Sequence, residues 1–167
     1  VIGIVIVAHG GLAREFLAAV QHVVGRQTGI IAVSIEADFD GACKRDEICA
    51  AADSVDTGGG VVVATDMFGG SPSNLSLLAC RASNRRIVYG VNLPLLVKLA
   101  KSRRLPVAEA VRVALAAGRK YLDALDLSEV TPPATPCVQR LPEGRPDRGP
   151  GFDEVASEPV RHREARR

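Results

Sequence analysis

Aromatic residues are nearly missing from this chain. Tryptophan is absent, and among the 167 residues there are only four phenylalanines and two tyrosines. A core must therefore be filled by Val, Ile, Leu and Ala, within a hydrophobic content of 47%. An excess of charge of one sign is missing too: 21 Lys and Arg stand against 19 Asp and Glu, a formal net charge of +2. That balance gives no reason to expect nucleic acid as a partner. No apolar stretch reaches the roughly 18–20 residues that a membrane span requires. The first apolar run also lacks the basic flank and cleavage site of a signal peptide, so the expected location is the cytoplasm. The four cysteines, Cys43, Cys49, Cys80 and Cys137, form no CxxC pair and have no histidine at zinc-ligand spacing. They read as buried free thiols that pack as small apolar residues. Neither a metal nor an organic cofactor is expected.

Apolar runs are present, and they are short and continuous. Residues 1–8 and 60–65 are the clearest, and 30–35 and 86–91 are shorter β-branched runs. Unbroken apolarity, in place of strict alternation, suits parallel strands covered on both faces. Helical patterns lie between them. Leu12, Phe16, Ala19/Val20 and Val23 recur every three to four residues, with Gly25 as a stop. Others run from Gly41 to Asp53, from Ser71-Pro72, after Pro94, and as one stripe from Val107 through Gly118 and Tyr121/Leu122 to Leu125. Ser71 is a favoured N-cap type, and Pro72 suits a first helical turn. The order β-α-β-α-β-α-β-α-α predicts an α/β domain. It would have a mainly parallel four-stranded sheet flanked by helices in three α/β/α layers, with right-handed crossovers. Four strands make a narrow sheet, so an edge is open to completion by a strand from a dimer partner. The domain is expected to span residues 1–127. The remainder, 128–167, holds seven of the ten prolines and many arginines and acids, and it reads as a disordered tail. His162 falls in that tail as a solvated residue, and His22 reads as a structural member of the first helix.

His9 stands apart. It closes the first apolar run and is followed by Gly10-Gly11 and a helix start. The third run ends at Asp66, followed by Met67-Phe68-Gly69-Gly70-Ser71-Pro72-Ser73-Asn74, and the fourth ends at Asn92-Leu93-Pro94. In an open α/β sheet these carboxyl ends share the edge where ligands bind. A neutral imidazole is a nucleophile toward phosphorus through one ring nitrogen, helped when a carboxylate holds the other N–H. Asp66 is the candidate orienter. Gly10, Gly11, Gly69 and Gly70 would let backbone N–H groups approach an anion, with Ser71 donating a hydroxyl or capping its helix.

Three motifs, Ala8-His9-Gly10, Thr65 to Asn74 and Gly90-Val91-Asn92-Leu93-Pro94-Leu95-Leu96-Val97, resemble a known family. These are the IIA components of the mannose-type branch of the bacterial phosphoenolpyruvate-dependent phosphotransferase system. The resemblance covers roughly residues 1–125. It implies that His9 accepts a phosphoryl group from the phosphocarrier HPr and passes it to a IIB component for sugar uptake. It further implies that Asp66 is the hydrogen-bond partner of His9, and that Ser71 and nearby helix starts help hold the phosphate. A homodimer is implied as well, with membrane contact only through a IIC/IID permease. The chain departs from the family pattern at Gly11, where an aromatic is common, and carries Phe68 as the aromatic before the Gly-Gly pair. Two alternatives stand beside this reading. One is a regulatory phosphohistidine sensor without its own permease. The other is a receiver-like or nucleotide-binding module with Asp38, Asp40 and Asp66 around Mg²⁺.

Overall fold

Both faces of the first strand are buried, and this organises the fold. The structure, a computed structural model, describes residues 1–125. Strand β1 (Gly3–His9) lies inside a four-stranded sheet of order β2-β1-β3-β4, with β2 Ile30–Ile35, β3 Val61–Thr65 and β4 Arg85–Val88. Every pairing is parallel. Along β1 the even residues Ile4, Ile6 and Ala8 enter one apolar cluster, and the odd residues Val5 and Val7 enter the other. This is why the run shows no alternation: each face of the pleat meets a helical layer.

The first layer holds α1 (Leu12–Val24), α4 (Leu93–Lys101) and α5 (Val107–Lys120), which bring Val20, Leu96, Leu99, Ala110 and Ala114 to the sheet. The second holds α2 (Gly41–Val55) and α3 (Ser71–Ser76), with Ile48 and Ala52 fully buried. The α/β/α layering and the element order expected from the sequence are those observed. Aliphatic side chains fill both clusters, and Phe16 and Phe39 only pack at their margins.

Several boundaries differ from expectation. Strand β4 stops at Val88 rather than 91, because the chain turns at Gly90 (φ 68°) and the Val91 amide donates to Thr65 O. Helix α5 ends at Lys120, not Leu125, and Tyr121, Leu122 and Leu125 are exposed. The cause lies in α4: Asn92 Nδ2 donates to Gly118 O at 3.0 Å, engaging the carbonyl that would continue the α5 ladder. The Leu122 amide turns to Arg119 O instead. Ser71 is not a cap. Gly70 is the N-cap of α3, its extended backbone (φ −77°, ψ 171°) presenting the carbonyl to the Asn74 amide. His22 is exposed in the last turn of α1, where it fits the helix dipole and not the core. Cys49 and Cys80 are half-buried, as small apolar residues are, whereas Cys43 is exposed beside the start of α2. The proposed tail 128–167 and the domain boundary at 127, together with Cys137 and His162, lie outside the described residues.

Asn92 also caps α4 by accepting from the Leu95 amide at 3.0 Å. One side chain thus starts one helix and stops another, directly behind the end of β3. Asn92→Ala is expected to lower unfolding stability by about 1–2 kcal/mol, the upper range of a lost helix cap. Urea unfolding followed by circular dichroism measures it.

Candidate functional site

Parallel register carries the chemistry to one edge. Strands β1 and β3 are neighbours in which Val7 pairs with Thr65, so His9 and Asp66 emerge side by side at the carboxyl end of the sheet. The Asp66 carboxylate is held from three directions. One oxygen, Oδ2, accepts from the His9 backbone N–H at 3.0 Å and lies 2.8 Å from His9 Nδ1. The other, Oδ1, accepts from the Met67 amide at 2.9 Å. Burial works to raise the Asp66 pKa, but the hydrogen bonds from the His9 amide and ring, the attraction of the imidazole and the Met67 amide outweigh it, and the carboxyl is held below its ordinary range. An ionised Asp66 accepts a hydrogen bond from Nδ1–H. That leaves Nε2 with its lone pair, the nucleophilic tautomer.

The two side chains differ in exposure: 46% for His9 and 13% for Asp66. The acid is sheltered, and the ring opens to solvent. It faces a cavity lined by His9, Gly10, Ile35, Glu36, Ala37, Phe39 and Ser71, from the end of β1, the end of β2 with the loop after it, and the start of α3. The glycines around it serve different purposes. Gly10 takes a left-handed turn (φ 51°), and its amide donates to Ile35 O at 2.8 Å, folding the chain sharply from β1 into α1. Gly70 is needed for room: a Cβ there would stand 3.0 Å from His9 Cε1 and 3.4 Å from Nε2. Gly69 (φ 77°) gives its carbonyl to Asn74 Nδ2. Gly11 is the N-cap of α1, with an ordinary backbone (φ −75°). All seven residues singled out in the sequence therefore cluster at or beside the imidazole.

Two features escaped sequence reasoning. Phe68 and Tyr89 meet as a tilted pair with ring centroids 4.8 Å apart, both exposed, next to exposed Met67. Tyr89 lies in the turn after β4, and only the fold brings it to the loop after Asp66. The second is an ion pair between Arg14 Nη2 and Glu36 Oε1 at 3.6 Å on the cavity rim. Two of the three aspartates suggested for Mg²⁺ are employed otherwise. Asp40 caps α2, accepting from the Cys43 amide at 2.8 Å, and Asp66 is bound to His9. Among the described residues no three His, Cys, Asp or Glu side chains are grouped to hold a metal ion, and no helix is long and apolar enough to cross a membrane.

Known proteins are similar to this chain in sequence and fold. The sequence profile of a family described as the fructose IIA component of the phosphotransferase system, EIIA-man, matches residues 3–115. The chain is 27% identical over 148 residues to the mannose-specific EIIAB component of Escherichia coli K12, an alignment covering 87% of this chain and 46% of that protein. It therefore spans about half the length of the curated relatives it matches. A mannose/sorbose-specific IIA subunit from Enterococcus faecalis superposes with a TM-score of 0.68 at 27% identity, covering 77% of this chain and 98% of that one. A IIA protein associated with the fucose utilization operon of Streptococcus pneumoniae gives 0.62 at 28% identity, over 69% and 89% of the two chains.

The site makes two predictions. Because the folded pKa of Asp66 lies below its unfolded value, its contribution to stability is present above the unfolded pKa of about 4 and is lost as pH falls through the folded pKa. Asp66→Asn should flatten that acid limb in thermal unfolding scans across pH. Gly70→Ala should leave unfolding stability nearly unchanged but displace the His9 ring resonances in NMR spectra, since the new methyl meets the ring edge.

Proposed function

The chain belongs to the family of phosphotransferase-system fructose IIA components, and we propose that it acts there as a phosphocarrier with His9 as the phosphoryl-accepting residue. The observation carrying this reading is the 2.8 Å contact between His9 Nδ1 and a half-buried, ionised Asp66, with Nε2 on an open rim. Nε2 attacks the phosphorus of a phosphohistidine on HPr. The new N–P bond forms as the donor's N–P bond breaks, and that bonding pair returns to the donor imidazole. The His9 ring becomes cationic as it is phosphorylated, and Asp66 is its counter-ion. Such a step asks for positioning and charge stabilisation more than for covalent help from the protein. Backbone N–H groups near Gly10 and Gly11 and around Gly69-Gly70, with the Ser71 hydroxyl, supply donors for the phosphoryl oxygens. A IIB component then takes the group by the reverse attack, toward sugar uptake.

A macromolecular donor and acceptor are favoured by the surface around the ring. Met67, Phe68 and Tyr89 make an exposed apolar patch beside His9, of the kind that protein partners cover. A homodimer belongs to the same proposal. Strand β4 is an open sheet edge, α5 packs beside it, and exposed Tyr121, Leu122 and Leu125 follow that helix.

Incubation with phosphoenolpyruvate, enzyme I and HPr should place an acid-labile, base-stable phosphate on the wild-type chain and none on His9→Ala. Asp66→Asn should slow the transfer by about 10–100-fold, as expected for loss of a carboxylate that orients a histidine. Undiminished labelling of His9→Ala would refute the assignment.

A further inference from the structure

The first turn of α1 carries a cation that the transfer chemistry above leaves unused. The Arg14 amide donates to Gly11 O at 3.1 Å, and the Arg14 side chain rises beside the same residue. Its Nη2 stands 3.7 Å from the point a Cβ on Gly11 would occupy. The backbone of Gly11 would accept any residue, and that spacing is an ordinary contact, so the guanidinium lies directly against the turn that follows His9. On its other side the guanidinium meets Glu36 at 3.6 Å, and Glu36 lines the cavity shared by His9, Gly10 and Ser71. Among the described residues, Arg14 is the only Lys or Arg in an ion pair with a residue lining that cavity. The pair is loose, with side chains 65% and 55% exposed, and ion pairs of that kind hold little free energy.

We propose that Arg14 is a phosphoryl-binding residue, which exchanges Glu36 for the phosphoryl group once that group is on His9. The inference rests on His9 being the phosphoryl acceptor. A phosphoryl group near neutral pH carries about 1.5–2 negative charges on three oxygens. Glu36 offers one charge at the edge of contact distance. The planar fork of a guanidinium matches phosphoryl oxygens in pairs, so the exchange gains both charge and hydrogen-bond geometry. Glu36 holds the cation at the rim while the ring is free, and repels the group once it arrives. Arg14 decides which of these carboxylate and phosphoryl charges is neutralised.

The test needs no protein donor. The full chain is phosphorylated with phosphoramidate, and the ³¹P resonance of the product is followed across pH for wild type and variants. The charged groups facing the phosphoryl are Asp66 from the end of β3, Glu36 after β2 and Arg14 on α1. Arg14 favours the dianion, so Arg14→Ala should raise the midpoint of the second ionisation by about half a pH unit at low salt. The difference should fade near ~1 M salt. Arg14→Lys should keep part of the effect, since the charge remains and the fork is lost. Glu36→Gln should move the midpoint the other way. A label on His9 whose titration is the same in wild type and Arg14→Ala overturns this inference alone. A chain that takes no label at His9 overturns it together with the assignment beneath it.

Discussion

One hydrogen bond ties the candidate chemistry to the fold: Asp66 Oδ2 to His9 Nδ1, at 2.8 Å. It exists because β1 and β3 are adjacent and in parallel register, so that two residues separated by 57 positions leave the sheet together. The same carboxylate oxygen accepts the His9 amide, which fixes the backbone as well as the ring. Helix layers on both faces of β1 hold that register, since a slip of one residue would turn Ile4 and Ile6 out of one cluster and Val5 and Val7 out of the other. The apolar core is thus the reason the imidazole and the acid meet.

Around that bond, buried and exposed groups divide the work. Asp66 is sheltered and kept ionised by donors that overcome its burial. His9 stays open because Gly70 puts no side chain against it. Farther out, the rim carries groups of opposite character: Phe68, Tyr89 and Met67 offer apolar contact, and Arg14 with Glu36 offers charge. A site with the proposed role, admitting another protein's histidine and then holding a dianion, would use both. Its adaptable parts lie on the rim, where exposed pairs exchange at little energetic expense.

Much of the site was legible in the chain because its residues sit at junctions with strong local signals. Strand-His-Gly-Gly-helix and strand-Asp-x-x-Gly-Gly-Ser-Pro-helix each mark a strand end, and parallel sheets collect their strand ends on one edge. Finer roles were not legible. Ser71 has the side chain of a helix cap, yet Gly70 caps α3 because its extended backbone already presents the needed carbonyl. The apolar period after Gly118 runs on to Leu125, but a side-chain amide from α4 engages the Gly118 carbonyl and the helix stops. Neither event is encoded near the residue it changes.

By itself the sequence determined the layered α/β class, the order of elements and the family, because each depends on local period and short motifs. The tertiary structure alone decided that Tyr89 reaches Phe68, that Glu36 meets Arg14 and that Asn92 ends α5. Those contacts join segments far apart in the chain. Their geometry follows from how helices and strand ends pack, and no local pattern of residues records it.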